Sequence, residues 1–325
     1  MKRVAVTRRI FPELIEELAR RYTLVDNQAD HGLGAAELAA RLRDCDAALI
    51  TAGEKVDDAL LAACPRLQVV SNIAVGYNNL DLAACTRHGV AATNTPDVLN
   101  EATADHAWAL LLAAARRVTE SDRFVRAGRW QRWEFEMLMG AELHGSTLGI
   151  VGMGRIGRAI ARRARGFGMR VVYHNRSRLP AVQEEGAIWM ATEEVLRSAD
   201  HVVLVVPYTQ ATHHLIGAAQ LALLKPTAVL VNIARGGVVD DAALIEALQQ
   251  GRLAAAGLDV FENEPRLDPR FLTLDNVVLT PHIASSTRAT RRAMARLAID
   301  NLADVLAGKR PSALLNPDVW DRRRR

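Results

Sequence analysis

The fold of this chain is decided by the segment Leu148-Gly149-Ile150-Val151-Gly152-Met153-Gly154-Arg155-Ile156-Gly157. It joins a short apolar run to a helical pattern through three glycines spaced G-x-G-x-x-G. In such a segment the first glycine permits a tight turn, the second lets the backbone approach a phosphate, and the third lets the helix pack on its strand. Gly152, Gly154 and Gly157 therefore predict a dinucleotide pyrophosphate site.

Two series of apolar, β-rich runs lie on either side of residue 100, and helical patterns alternate with them. The first series covers residues 4–7, 24–25, 47–51, 67–73 and 90–93, and the second covers 148–151, 171–173, 202–206, 228–233, 255–258 and 277–279. This alternation is typical of parallel sheets covered by helices, so it predicts the α/β class. The six strands of the second series match a doubly wound nucleotide domain.

The length of 325 residues favours two domains, because a single core of this size is uncommon. Residues 101–127 have a long helical pattern with Asn100 as a candidate N-cap, and we interpret them as one linker helix. Residues 288–306 form the last predicted helix, and Gly308 and Pro311 follow it as stop signals.

Composition indicates an ordinary globular protein, with 50% hydrophobic and 24% charged residues and a formal net charge of +4. The only basic cluster is the terminal run of four arginines at 322–325, for which we expect a solvated, frayed tail, and we infer no role in nucleic-acid binding. Cys45, Cys64 and Cys85 lack C-x-x-C spacing and have no candidate metal ligands near them in the sequence, so we expect buried thiols and no metal site.

The start of the chain predicts a cytoplasmic protein. Arg8 and Arg9 interrupt the N-terminal segment before the apolar core of a signal peptide could form. The longest strongly apolar run, residues 107–115, is too short to span a bilayer. We therefore expect no membrane association.

The residues after the second strand of the nucleotide domain indicate which coenzyme binds. An NAD enzyme places an Asp or Glu there to accept from the ribose 2′-hydroxyl, whereas this chain has Asn175, Arg176, Ser177 and Arg178. Guanidinium groups form charge-assisted hydrogen bonds with a 2′-phosphate, so we favour NADP over NAD. The alternative is that the two arginines are solvated loop charges beside a site that takes NAD.

Three residues in the second half of the chain are candidates for chemistry on a carbonyl. Arg235 follows a predicted strand and could hold a carboxylate bidentately, and His282 follows another strand end and could exchange a proton near neutral pH. Glu264 lies in an acidic loop between them. Each also has an ordinary structural interpretation, namely a strand-end arginine, a packed histidine and a solvated carboxylate, so the three carry weight only together.

Over nearly its whole length the chain resembles the D-isomer-specific 2-hydroxyacid dehydrogenases. The motifs that carry this resemblance are Val75-Gly76-Tyr77-Asn78-Asn79-Leu80-Asp81, the glycine segment, Asn232-Ile233-Ala234-Arg235-Gly236, Gly257-Leu258-Asp259-Val260-Phe261-Glu262-Asn263-Glu264-Pro265 and Thr280-Pro281-His282-Ile283-Ala284-Ser285. The resemblance implies that Arg235 binds substrate, that His282 is the acid/base, and that Glu264 pairs with it. It also implies that Val75 and Gly76 offer backbone N–H groups to the substrate carboxylate.

The same resemblance implies a Rossmann-type cofactor domain at 99–287, inserted in a discontinuous, flavodoxin-like substrate domain at 1–98 and 288–325, with both domains contributing to the substrate site. It implies that Arg155 and Ile156 contact the pyrophosphate of the cofactor and that Val206 and Pro207 lie near its adenosine. It also implies that Ile233, Asp259 and Ala284 lie toward the nicotinamide, with Thr103 as a weaker addition.

Within the family, Asn175-Arg176 and Thr212-His213-His214-Leu215 are most similar to the bacterial glyoxylate/hydroxypyruvate reductase branch, also called 2-ketogluconate reductase. We therefore expect NADPH-dependent reduction of glyoxylate, hydroxypyruvate or 2-ketogluconate, and the sequence leaves open which of them matters in the cell. Alternatives are a phosphoglycerate dehydrogenase, a formate-oxidising relative, or a dinucleotide-sensing corepressor. The intact set of Arg235, Glu264 and His282 speaks against a corepressor.

A homodimer is expected from the family resemblance. Trp130, Trp133 and Phe135 form an aromatic group between the linker helix and the glycine segment, and aromatic residues are enriched at interfaces. Packing of the three within one subunit is an equally good interpretation.

Overall fold

The computed structural model describes residues 1–324 and contains twelve β-strands within them. The strands are β1 (Arg3–Val6), β2 (Thr23–Asp26), β3 (Ala47–Ile50), β4 (Val69–Asn72), β5 (Ala91–Thr93), β6 (Thr147–Val151), β7 (Arg170–His174), β8 (Ile188–Trp189), β9 (His201–Leu204), β10 (Val229–Asn232), β11 (Ala255–Leu258) and β12 (Val277–Leu279).

Twelve α-helices connect or follow these strands in the described residues. They are α1 (Pro12–Arg21), α2 (Ala35–Leu42), α3 (Asp58–Ala63), α4 (Leu82–Arg87), α5 (Asn100–Ala115), α6 (Val118–Arg126), α7 (Arg155–Ala164), α8 (Ala181–Glu184), α9 (Thr192–Ser198), α10 (Ala218–Leu221), α11 (Asp241–Gln249) and α12 (Arg288–Leu306). No helix of residues 1–324 is long and apolar enough to cross a membrane.

The chain divides into two compact units, the first formed by residues 1–99 and 287–324 and the second by residues 100–286. The first unit is a five-stranded parallel sheet in the order β2-β1-β3-β4-β5. This is the flavodoxin-like order, in which all strands are parallel and the topological switch point lies between β1 and β3. Helix α12 packs on β3, β4 and β5, and its Ala298 carbonyl accepts a buried hydrogen bond from Ser71 at 2.8 Å.

The second unit is a seven-stranded parallel sheet in the order β12-β11-β10-β9-β6-β7-β8. Its six strands other than the short β8 form a doubly wound sheet whose topological switch point lies between β6 and β9, where such sheets bind dinucleotides. The predicted fold class, two parallel-sheet α/β domains with a Rossmann-type domain inserted in a flavodoxin-like one, is confirmed.

Two details of the second unit differ from the sequence prediction. The linker predicted as one helix at 101–127 is two helices, because Arg117 has a left-handed φ of 53° and ends the helical path between α5 and α6. The Arg117 guanidinium binds Glu120 in the first turn of α6 at 2.7 Å and the Met139 carbonyl at 3.3 Å, and these two contacts hold the break. The sheet also gains β8, a two-residue edge strand that periodicity did not indicate.

The C-terminal tail is not frayed as predicted. The Arg324 backbone N–H donates to the Gly89 carbonyl at 2.8 Å, and its guanidinium donates to the carbonyls of Cys64 and Leu67 at 2.7 and 3.2 Å. The Arg323 guanidinium lies 3.8 Å from the centre of the Trp320 ring. The tail up to residue 324 is therefore docked on the first unit, and Arg325 lies outside the described residues.

Candidate functional site

The glycine segment forms a tight turn between β6 and α7 in the second unit. Gly152 has a φ of 105°, and a Cβ there would lie 2.7 Å from the Val205 carbonyl, so only glycine fits. A Cβ at Gly157 would lie 2.4 Å from the Gly152 carbonyl oxygen, which shows how closely the helix approaches the turn. These two contacts bring the start of α7 directly over the end of β6.

The outer side of this turn is open. Nothing lies within 4 Å of a Cβ built at Gly154, which is the N-cap of α7, and Arg155 and Ile156 are the first two helical residues. Backbone N–H groups in a first helical turn lack intrahelical acceptors, and the helix dipole favours an anion at this end. The turn therefore fits the pyrophosphate of a dinucleotide.

The loop after β7 splits its four predicted coenzyme contacts into two groups. The Asn175 side chain accepts from the Met153 N–H at 2.6 Å and donates to the Met153 carbonyl at 3.3 Å, so it braces the glycine turn. Arg176 and Ser177 are exposed, and no hydrogen bond or ion pair within residues 1–324 engages the Arg176 side chain. These two residues remain candidates for binding a ribose phosphate.

Arg178 has a different partner from the one we predicted. Its guanidinium binds the Glu184 carboxylate at 2.8 and 3.0 Å, and the Tyr173 hydroxyl donates to the same carboxylate at 2.7 Å. The hydrogen bonds from Arg178 and Tyr173 lower the pKa of Glu184 to about 2. The guanidinium is thus already paired with a carboxylate, and the geometry gives Arg178 a structural task in place of a coenzyme contact.

His282 and Glu264 meet beyond the end of β12. The Nδ1 atom of His282 lies 2.8 Å from Oε2 of Glu264, and the other Glu264 oxygen accepts from the Phe261 N–H at 2.9 Å. His282 has a left-handed φ of 53°, a conformation that is uncommon outside glycine and often found at functional sites. With Nδ1 engaged by the carboxylate, Nε2 is the atom that His282 can offer to a ligand.

Glu264 is held as a carboxylate. Burial raises its pKa, but the hydrogen bonds from His282 and from the Phe261 N–H, with the charge of Arg235, lower it by more, so the net pKa lies below the ordinary value. The pair therefore consists of an imidazole and an ionised carboxylate in hydrogen-bond contact, an arrangement that suits general acid–base catalysis.

Arg235 follows β10 in extended backbone, with φ −152° and ψ 157°. One guanidinium nitrogen donates to the Ala234 carbonyl at 2.7 Å. Burial lowers the pKa of Arg235, while Glu264 acts in the opposite direction, so the two charges are close enough to interact. The structure therefore brings the three predicted residues, Arg235, Glu264 and His282, to one end of the sheet.

Gly236 explains why the two loops of this group stay together. A Cβ at this position would lie 1.8 Å from the Phe261 carbonyl oxygen, so the backbone next to Arg235 is in direct contact with the loop that carries Glu264. Any side chain at Gly236 would push the cation and the carboxylate apart.

Asp259 supports the histidine loop from inside. It is 1% exposed, and its carboxylate accepts from the N–H groups of Ile283 and Ala284 at 2.8 and 2.9 Å and from the Thr280 hydroxyl at 2.6 Å. Both carboxylate oxygens of Asp259 are thus used to hold the loop after β12. We had expected this side chain to contact the cofactor directly.

His106 on α5 joins the same network, and our sequence reasoning missed it. Its Nε2 lies 3.0 Å from the Thr280 hydroxyl and 3.3 Å from Asp259 Oδ1. Nothing in the local sequence of a helix marks such a histidine, since its partners lie more than 150 residues away.

The remaining predicted cofactor residues of the second unit lie at strand ends, except for one. Val206 and Pro207 follow β9, and the Val206 backbone nitrogen would lie 2.9 Å from a Cβ built at Gly152. Ile233 follows β10 and Ala284 follows β12. Thr103 is 5% exposed on α5, which packs on α7, so its side chain has little surface to offer a ligand.

Val75 and Gly76 belong to the first unit, in the loop after β4, and both are half-buried. Their backbone N–H groups have no hydrogen-bond acceptor within residues 1–324. They are therefore available to a ligand.

Asp241 is a second carboxylate that sequence reasoning missed, and it supports the same acidic loop. It is 6% exposed and accepts from the Glu262 N–H at 3.0 Å. Burial raises its pKa to about 6. The folded protein therefore binds a proton at Asp241 more tightly than the unfolded chain, and the free energy of unfolding falls as pH rises through the interval between 3.8 and about 6.

We expect Asp241→Asn to stabilise the protein above pH 7 by up to about 3 kcal/mol, since each pKa unit corresponds to roughly 1.4 kcal/mol. The advantage should shrink at pH 5, where the native carboxyl is largely protonated. Thermal melts at pH 8 and pH 5 test this, with the exposed Asp44→Asn as control. A gain that is equal at both values would contradict the explanation.

Comparisons with known proteins agree on one family. The family described as "D-isomer specific 2-hydroxyacid dehydrogenase, NAD binding domain" matches residues 108–284. The chain is 48% identical to a glyoxylate reductase of Thermococcus onnurineus, over 99% of this chain and 98% of that protein. It is 46% identical to a glyoxylate reductase of Aeropyrum pernix, over 98% and 96% of the two chains.

Solved structures give the same result. An NADPH-dependent glyoxylate/hydroxypyruvate reductase from Sinorhizobium meliloti, in complex with NADP and malonate, is 36% identical and superposes with a TM-score of 0.88 over 100% of this chain and 99% of that one. The chain is thus more similar to these two archaeal relatives than to this bacterial one. Our prediction that the chain is most similar to the bacterial branch of the family is therefore wrong.

Proposed function

The chain belongs to the D-isomer-specific 2-hydroxyacid dehydrogenases, and we propose on this basis that it uses NADPH to reduce small 2-oxo acids to D-2-hydroxy acids. The proposed substrates are glyoxylate, hydroxypyruvate and 2-ketogluconate. The observation that carries the proposal is the His282–Glu264 pair at 2.8 Å, with the cation of Arg235 beside it. A proton donor and a carboxylate-binding cation are the two groups that reduction of a 2-oxo acid requires.

The glycine turn of Gly152, Gly154 and Gly157 would hold a nicotinamide coenzyme, which would supply the hydride for C2 of the substrate. Arg235 binds the substrate carboxylate and carbonyl oxygen, and its charge stabilises the developing alkoxide. His282 donates the Nε2 proton to that oxygen, while its Nδ1 atom stays on Glu264. We propose that the N–H groups of Val75 and Gly76 bind the same carboxylate.

The preference for NADPH rests on the loop after β7. A carboxylate, which would repel a ribose 2′-phosphate, is absent from residues 175–178, and Arg176 and Ser177 are exposed there. With Arg178 engaged by Glu184, we assign the 2′-phosphate to Arg176 and Ser177 alone. A charge-assisted hydrogen bond of this kind is worth about 1.5–3 kcal/mol.

We expect wild-type protein to reduce glyoxylate and hydroxypyruvate with a kcat/KM at least about tenfold higher for NADPH than for NADH. Arg176→Ala should raise the KM for NADPH by about 10- to 100-fold and leave that for NADH nearly unchanged. Arg170→Ala is the matched control, because Arg170 is exposed at the opposite end of β7. Coenzyme kinetics on the three proteins decide the matter.

Two results would overturn parts of this proposal. Equal losses with both coenzymes in Arg176→Ala would remove the phosphate assignment. Activity with 3-phosphoglycerate or formate in place of the 2-oxo acids would move the chain to another branch of the family.

We further propose, from its three free, buried cysteines, that the protein works in the reducing cytoplasm.

We also propose that the protein is a homodimer. Trp130, Trp133 and Phe135 are 56%, 73% and 85% exposed, so packing within one chain does not cover them. Light scattering should give about twice the chain mass of 35.5 kDa, and a single-chain mass would contradict the dimer.

A further inference from the structure

Three consecutive carbonyl groups after β4 point into the first unit. The Ala74 carbonyl accepts from the Thr95 N–H at 2.9 Å, the Val75 carbonyl from Asn94 Nδ2 at 2.8 Å, and the Gly76 carbonyl from Asn72 Nδ2 at 3.0 Å. Each of these peptide groups is therefore fixed by a donor of its own.

The orientation of the N–H groups follows from peptide geometry. In a planar trans peptide the N–H of a residue points opposite to the carbonyl of the residue before it. The N–H groups of Val75, Gly76 and Tyr77 are thus directed away from the donors that fix the carbonyls. None of the three has a hydrogen-bond acceptor in the part of the chain that the structure describes.

The Asn72 side chain fixes one of these peptide groups. It is fully buried, and its Nδ2 group donates to both the Gly76 carbonyl and Asn79 Oδ1, the latter at 3.2 Å. Its own Oδ1 atom has no partner among the described residues, although an unpaired buried acceptor costs free energy. The two hydrogen bonds that its Nδ2 group donates therefore account for an asparagine at this position.

The network extends from these asparagines to the rest of the unit. Asn79 donates to the carbonyls of Thr51 and Glu54 at 3.1 and 2.9 Å, and the Asn94 carbonyl accepts from Asn301 on α12 at 3.2 Å. The loop is thus anchored on two sides, and its N–H groups are held in place before any ligand arrives. Fixed donors of this kind bind a developing or full negative charge without first having to reorient.

We propose that Asn72 and Asn94 are positioning residues that set a row of three N–H donors, Val75, Gly76 and Tyr77, for the carboxylate of the 2-oxo acid. The proposal rests on the proposed function and adds the Tyr77 N–H as a third donor. An asparagine side chain is required at both positions, because an aspartate of the same shape offers the carbonyl an acceptor in place of a donor.

Kinetics on single variants test the positioning role. We expect Asn72→Ala and Asn94→Ala each to raise the KM for glyoxylate about tenfold or more, with the KM for NADPH within a factor of about two of wild type. Asn316→Ala is the matched control, because Asn316 is a buried asparagine of the same unit that hydrogen-bonds Ala92, Val90 and Thr86 and does not contact the loop. It should lower the melting temperature and leave both KM values unchanged.

A measurement on the wild-type protein keeps the test independent of how the variants fold. With selectively ¹⁵N-labelled valine, glycine and tyrosine, the amide resonances of Val75, Gly76 and Tyr77 should all move when the non-reducible analogue oxamate binds the NADPH complex. An unmoved Tyr77 amide would remove the third donor.

The outcomes separate this inference from the proposed function. Wild-type reduction of glyoxylate combined with unchanged glyoxylate KM in Asn72→Ala and Asn94→Ala would overturn the positioning role and leave the function standing. A wild-type protein that neither reduces 2-oxo acids nor shifts these amides with oxamate would overturn both.

Discussion

Replacing His282 with glutamine is expected to lower kcat for 2-oxo acid reduction by about 100- to 10,000-fold, the range that a positioned general acid contributes. Glutamine can keep a hydrogen bond to Glu264 but has no proton to transfer at neutral pH. The KM for NADPH should change little, because the glycine turn follows β6, which lies four strands away from β12 in the sheet. Steady-state kinetics with saturating NADPH measure the effect.

Backbone geometry calls for a companion variant. His282 has a φ of 53°, and asparagine tolerates the left-handed region better than glutamine does. His282→Asn should therefore fold at least as well and lose as much activity. Near-normal turnover in either folded variant would remove the proton-donor assignment.

Glu264→Gln provides an independent check on the pair. It keeps the shape of the side chain but removes the carboxylate that lies on Nδ1 of His282, so we expect kcat for 2-oxo acid reduction to fall while the KM for NADPH stays unchanged. An unchanged kcat in the folded variant would show that the carboxylate does not support the proton donor.

Replacing Arg235 with alanine is expected to lower kcat/KM for glyoxylate by roughly 30- to 4,000-fold, since losing one partner of a buried charged contact costs about 2–5 kcal/mol. Arg235→Lys should restore only part of this loss, because an ammonium group cannot form two parallel hydrogen bonds to a carboxylate. The comparison separates the charge of the side chain from its shape.

The control for this prediction is Arg252→Ala. Arg252 is exposed after α11 and pairs with Glu246 at 3.2 Å, so its loss should leave kcat/KM unchanged. Unchanged kcat and KM in Arg235→Ala would contradict the assignment of Arg235 as the substrate cation.

Local sequence patterns were sufficient to predict most of the strands and the chemistry-bearing strand ends. The glycine spacing marked the β6–α7 turn, and the apolar positions of α12 with the following Gly308 marked its bounds. These features depend on neighbouring residues, so a linear pattern contains them. Arg235, Glu264 and His282 were predicted as candidates because each follows a strand of one parallel sheet, and the carboxyl ends of such strands share an edge.

The missed features depend on partners that are distant in the chain or on loop geometry. Arg178 was assigned to a phosphate because the closure of the loop onto Glu184, six residues away, is not visible as a pattern. The tail was predicted to be frayed because its acceptors, the carbonyls of Cys64 and Leu67, lie about 260 residues away. His106 escaped notice for the same reason.

The placement of α12 has a consequence for the order in which a growing chain can mature. The sheet formed by β1 to β5 is synthesised before the second unit, yet the helix that covers β3, β4 and β5 follows that unit in the chain. All seven strands of the inserted second unit are therefore made before α12 is available. The sheet that is made first must thus wait, with an uncovered apolar surface, until the whole inserted unit has been synthesised.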